Sequence, residues 1–88
     1  MSSAAELGIE ERVKGLVCYI VEGLVDNPDD VSVETTLEDK LLSLFIQSHP
    51  DDVGKIIGRN GRTIKSIRTL ARASVGSPSM HLDIDVEG

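Results

Sequence analysis

Two glycines three positions apart, Gly58 and Gly61, bracket Arg59 and Asn60 between two short stretches of helical pattern, residues 50–57 and about 62–73. A glycine at each end makes this turn more than a connector. Gly58 is free to take the left-handed conformation that closes the first helix, and Gly61, having no Cβ, lets a ligand backbone come close. The helix that follows aims its unbonded N–H groups and partial positive charge into the same space, which suits a phosphate. Arg59 adds a cation at the tip, and Asn60 tolerates positive φ.

That second helix is two-sided. At about 100° per residue, with Lys65 at zero, Arg62 falls near +60°, Arg68 near −60° and Arg72 near −20°, while Ile64, Ile67, Leu70 and Ala71 span about −100° to −220°. The basic face continues from Arg59 as a strip able to follow several phosphates. A charged helix face is ordinarily just a solvated one. Here the rest of the chain argues otherwise: the six basic residues from Lys55 to Arg72 have no acidic residue among them, and the remainder holds three basic and fifteen acidic residues, within a net charge of −6.

Elsewhere Val13, Leu16, Val17, Ile20 and Leu24 form the apolar stripe of a helix that stops at Asp26-Asn27-Pro28, and residues 1–9 read as an arm ahead of a domain covering 10–88. Val31, Val33, Thr35 and Leu37 alternate with polar residues. Leu42, Leu44 and Ile46 share a strand face, and Glu38-Asp39-Lys40 between the two runs predicts a hairpin. Pro50, Asp51 and Asp52 suit the first turn of the short helix, with Ser48 or His49 as cap. Met80, Leu82, Ile84 and Val86 alternate with His81, Asp83, Asp85 and Glu87 as a half-buried strand. The order is α-β-β-α-α-β, an α+β domain.

Several chemistries are disfavoured. Eighty-eight residues suit one small domain, and one cysteine, Cys18, excludes an internal disulfide and a cysteine zinc site. Residues 1–8 lack the basic and apolar regions of a secretory signal, and no run is long enough to span a membrane, so a cytoplasmic setting is expected. Gly61-Arg62-Thr63 imitates the end of a P-loop, but that spacing needs glycine where Ile56 stands and lysine where Arg62 stands. His81, Asp83 and Asp85 on one strand face read as solvated alternation rather than metal ligands. No catalytic group, metal or cofactor is expected. With Tyr19 and Phe45 the only aromatics, stacking platforms for bases are missing.

The stretch Gly54-Lys55-Ile56-Ile57-Gly58-Arg59-Asn60-Gly61-Arg62-Thr63-Ile64-Lys65-Ser66-Ile67-Arg68 resembles the KH-domain motif, and the element order is similar to the type II KH fold. Tyr19-Ile20-Val21, Leu24-Val25-Asp26, Pro28-Asp29-Asp30-Val31 and Pro50-Asp51-Asp52-Val53-Gly54 resemble the small bacterial single-KH proteins of the KhpA family. Gly23, where that family usually has proline, and Asn60, often Gly, Lys or Gln, depart from the pattern without removing a required group. The resemblance implies a three-stranded sheet with three helices on one face. It also implies single-stranded RNA held by Gly58, Arg59, Asn60 and Gly61 over an apolar floor of Ile57 and Ile64, with Lys55, Arg62, Lys65 and Arg68 on phosphates. It further implies a homodimer or a heterodimer with a KhpB (Jag/EloR)-like protein, and a role as RNA chaperone or post-transcriptional regulator linked to cell elongation and division. The alternative is a KH-shaped interaction and dimerisation scaffold for which RNA is incidental.

Overall fold

Strict alternation in three segments builds one sheet, because each strand then has an apolar side to bury. The computed structural model describes the backbone of residues 2–87 and the side chains of residues 8–87. Strands β1 (Ser32–Glu38) and β2 (Leu41–Gln47) form an antiparallel hairpin, and β3 (His81–Val86) adds to the other side of β2 in parallel. The hairpin turns on Asp39 at φ 54°, inside the Glu38-Asp39-Lys40 segment. Val33, Leu42, Leu44, Ile46 and Ile84 point to one side and are buried.

That side is covered by three helices, α1 (Ser2–Leu24), α2 (Val53–Ile57) and α3 (Arg62–Val75). This is the α-β-β-α-α-β order and the one-sided layering of a type II KH fold. Val13, Val17 and Val21 are the fully buried ridge of α1, and Ile56, Ile64, Ile67, Ala71 and Val75 complete the core. Arg12 of α1 donates to the Ser74 carbonyl in the last turn of α3 at 2.8 Å, a cation at the negative end of that helix. Gly76, at φ 71°, ends α3.

Three details differ from the sequence reading. The backbone of α1 is helical from Ser2, and Ile9, assigned to the arm, packs against the core; Ala4, Ala5, Glu6 and Leu7 are strong helix formers that continue the pattern backwards. Val21 takes the buried place on α1 while Leu24, at the helix end, is exposed. Leu70, placed on the apolar face of α3, is 53% exposed. The buried residues of α3 span about −80° (Val75) to −160° (Ile67) on the same wheel, so Leu70, near −220°, lies beyond the seam.

Candidate nucleic-acid interface

The turn between α2 and α3 is built from residues that can hold positive φ. The Gly58 N–H donates to the Gly54 carbonyl at 2.8 Å and closes α2; Gly58 itself sits at φ 76°, ψ 171°. This is an extended positive-φ conformation essentially restricted to glycine, rather than the left-handed helical one expected. It turns the chain sharply out of the helix. A Cβ there would also lie 2.2 Å from Thr63 Oγ1. Asn60 (φ 58°, ψ 25°) and Gly61 (φ 73°, ψ 15°) then reverse the chain into α3.

Gly61 differs from Gly58 in its surroundings. A Cβ on it would approach only Ile64 Cγ2, at 4.0 Å, so its backbone faces open space. No side chain caps the start of α3. The Arg62 N–H is taken by the Arg59 carbonyl, so this end of α3 offers an anion the N–H groups behind it and the helix dipole.

The basic residues separate into two groups. Arg59, Arg62, Lys65 and Arg72 are exposed or half-buried, and among the described residues none lies within ion-pair distance of a carboxylate. Lys55 and Arg68 are engaged within the fold. Lys55 Nζ lies 2.5 Å from Asp26 Oδ2 and 3.4 Å from Asp52 Oδ1. Arg68 is partly buried, and its Nε and Nη2 donate to the Ile84 carbonyl at 3.3 and 2.9 Å. Of the two apolar residues expected beside the turn, Ile57 is 37% exposed at the end of α2, whereas Ile64 is 6% exposed and belongs to the core.

The carboxylate that organises this region was read from sequence only as a helix-start charge. Asp52 is fully buried and accepts from the Asn27 N–H (3.0 Å), Asn27 Nδ2 (3.1 Å), the Asp26 N–H (3.3 Å) and Lys55. Burial alone would push its pKa up, but the hydrogen bonds from Asn27, Asp26 and Lys55 outweigh that and hold it below the ordinary aspartate value. Hydrogen bonding to Asp26 in turn raises Lys55, against a smaller opposing effect of desolvation. The i, i+3 spacing of Asp52 and Lys55 was the sequence signal for half of this cluster. His49 behaves as expected: its Nδ1 accepts from the Asp51 N–H at 3.1 Å as a cap.

The charges divide by face. Glu34, Glu38, Asp83 and Asp85 are exposed on the side of the sheet away from the helices, with Phe45 and Leu41 between them. His81 shares that face, and among the described residues no group of three or more His, Cys, Asp and Glu is arranged to hold a metal ion. Cys18 is half-buried, and burial followed by the nearby Glu22 pushes its thiol pKa up, which keeps the sulfur protonated. No helix among the described residues is long and apolar enough to cross a membrane.

Residues 14–86 match the family model described as KhpA/KhpB, KH domain. The chain is 44% identical over 70 residues to the RNA-binding protein KhpA of Streptomyces coelicolor, covering 78% of this chain and 87% of that protein. It is 43% identical over 74 residues to the RNA-binding protein KhpA of Oceanobacillus iheyensis, covering 82% and 99%. Among solved structures, a point variant of Aquifex aeolicus Era bound to GDP and aluminium fluoride superposes with a TM-score of 0.65 at 21% identity, over 84% of this chain but only 29% of Era. That last likeness concerns the fold alone.

Proposed function

The chain belongs to the KhpA/KhpB KH-domain family, and on that basis we propose that it binds single-stranded RNA at the Gly58-Arg59-Asn60-Gly61 turn. The observation that carries the reading is the conjunction at the start of α3: a helix start that no side chain caps, an open approach to Gly61, and the cations Arg59, Arg62 and Lys65, which among the described residues have no carboxylate within ion-pair distance. A phosphate at this point meets three sources of positive potential at once. Arg72 extends the strip along α3, and exposed Ile57 offers an apolar edge beside the turn. The carboxylates on the far side of the sheet repel RNA from the wrong face. Lys55, expected on a phosphate, has its charge matched by Asp26 and Asp52, so its part in this reading is to hold α2.

The test is a fluorescence-anisotropy titration of short single-stranded RNA at two salt concentrations, comparing the wild type with an Arg59→Asp, Asn60→Asp variant shown by circular dichroism to be folded. Salt-sensitive binding that the variant loses supports the turn as the clamp. Equal binding by both, or by neither, overturns it in favour of the scaffold reading.

The similar KhpA proteins are RNA-binding proteins, which supports RNA as the ligand. The finer role, an RNA chaperone or post-transcriptional regulator linked to cell elongation and division, is proposed from the family resemblance. So is pairing with a second copy or with a KhpB (Jag/EloR)-like protein, for which the exposed apolar side chains Tyr19, Leu24 and Leu70 are the supporting observation. Light scattering at high micromolar concentration checks self-pairing; a strictly monomeric mass counts against it.

A further inference from the structure

The two sides of the sheet differ in what faces them. The inner side meets three helices, whereas among the described residues no element covers the outer one. The register sets its side chains in rows across the strands: Glu34, Phe45 and Asp85 form one row, and Glu38, Leu41 and His81 another, with Asp83 between the two. Beyond the Phe45 row the face satisfies itself, because Ser32 donates to Gln47 Oε1 at 3.1 Å and Gln47 Nε2 to Glu87 Oε2 at 3.3 Å. The Phe45 row does not. Among the described residues Glu34, Glu38, Asp83 and Asp85 have no cation within ion-pair distance.

A solvated sheet face ordinarily mixes both signs of charge, so that neighbours across strands support one another. Here the three strands contain no lysine or arginine at all. Between the carboxylates, on the middle strand, Phe45 and Leu41 remain exposed. Neighbouring strands lie about 4.8 Å apart, so a group resting on the Phe45 ring has Glu34 about one strand spacing to one side and Asp85 the same distance to the other. Phe45, Glu34, Asp83 and Asp85 help to line a shallow hollow of about 140 Å³. An aromatic face flanked by two carboxylates suits a guanidinium: its plane stacks on the ring while its edge N–H groups donate to the acids. An apolar middle inside a polar rim is also the anatomy of a protein–protein interface.

We propose that this outer face docks a short basic segment of another protein, with an arginine laid over Phe45 between Glu34 and Asp85 and an apolar residue over Leu41. Charge complementarity selects that occupant: uncompensated carboxylates attract a cationic chain and repel phosphates, and the apolar middle rewards a side chain that a bare cation lacks. The spacing adds a constraint. Phe45 and Leu41 are four residues apart on β2, about 13 Å, so an extended segment presents the arginine and the apolar residue four positions apart on one of its faces, with a second cation between them opposite Asp83. The helices stand between this face and the turn at Gly58 to Gly61. The inference therefore does not rest on the RNA-binding reading, and the chain is able to hold both ligands at once.

The experiment is an anisotropy titration of a fluorescein-labelled Arg-Thr-Arg-Thr-Leu peptide and its Lys-Thr-Lys-Thr-Leu counterpart at two salt concentrations. The proteins are the wild type, Phe45→Leu, a Glu34→Gln, Asp85→Asn variant and, as a charge-matched control, an Asp29→Asn, Asp30→Asn variant altered at exposed carboxylates outside the sheet. The wild type is expected to bind the arginine peptide more tightly than the lysine one. Removing Glu34 and Asp85 weakens the arginine peptide about tenfold, and Phe45→Leu weakens it about threefold and abolishes the preference for arginine. The Asp29, Asp30 variant stays within about twofold of the wild type. Circular dichroism confirms that each variant is folded; should Phe45→Leu fail, the two double variants decide between them. A wild type that binds neither peptide, or both equally, overturns the proposal without reference to any variant. So do equal losses in the two double variants, which reduce the binding to overall charge, and a preference for arginine unchanged in folded Phe45→Leu. Self-association of the wild type in light scattering at low salt, lost on removing Glu34 and Asp85, makes the occupant the α3 cations of a second copy and also overturns it.

Discussion

Asp52 and Asn27, twenty-five residues apart in the chain, meet through two hydrogen bonds to one carboxylate oxygen: the Asn27 N–H and Nδ2 donate to Asp52 Oδ2 at 3.0 and 3.1 Å. The pair ties the segment after α1 to the start of α2, and so fixes the helix from which the Gly58 turn departs. With Lys55 completing the cluster, the carboxylate is buried with its acceptor sites occupied.

This contact makes stability depend on pH in a definite direction. Folding lowers the Asp52 pKa, so the unfolded chain takes up the proton first. The stabilisation is fully present above the ordinary aspartate range, about pH 4, and is lost as pH falls through the depressed folded value. Asp52→Asn turns an amide toward donors, so its urea midpoint is expected below the wild type's at pH 7, with the two curves converging as pH falls through the depressed folded value. Lys55 acts oppositely: its raised pKa contributes below the ordinary lysine range and is lost above about pH 10. Urea titrations across pH check both signs.

Cations on one helical unit should not contribute equally to RNA affinity. Arg62→Gln and Lys65→Gln are each expected to reduce the slope of log K against log salt by about 0.7. Lys55→Met, which removes a charge already matched by Asp26 and Asp52, leaves the slope in place and lowers stability instead. A slope reduced equally by Lys55→Met would place its ammonium on a phosphate.

The two glycines should fail differently. Gly58→Ala combines a positive-φ penalty of about 1–3 kcal/mol with overlap against Thr63, and Thr63→Ala gives no rescue because Thr63 Cβ and N are themselves within 2.7 and 2.9 Å. Gly61→Ala meets only the conformational cost, about 1–2 kcal/mol, and places a methyl group in the open space. Denaturation should rank Gly58→Ala as the less stable, while Gly61→Ala, still folded, shows weakened RNA binding.

Burial on α3 and β2 gives a stability contrast. Ile46→Ala, at a fully buried site, should cost about 2–5 kcal/mol, a large part of the roughly 5–15 kcal/mol available to a domain. Leu70→Ala, on an exposed position, should fall within about 0.5 kcal/mol of the wild type. A large loss in the monomer at Leu70 would mean that it packs after all.

Local pattern was enough to read the inner faces of all three strands, the hairpin at Asp39, the His49 cap and the turn at Gly58 to Gly61, because period and backbone freedom are properties of neighbouring residues. It could not say that β3 joins β2 in parallel: alternation in Leu82, Ile84 and Val86 identifies a buried side but not the partner strand. Nor could it set the rotation of α3. A helical wheel draws a broad apolar arc, and packing against α1 and β3 chose the part that includes Val75 and leaves Leu70 outside. The same rotation carried Arg68, about 20° from Val75, out of the basic strip and onto Ile84. Asp52 likewise looked like a helix-start charge until the fold brought Asn27 to it. What a residue can do is written in its chemistry and immediate neighbours; which of two faces it serves depends on elements distant in the chain and is decided only when they pack.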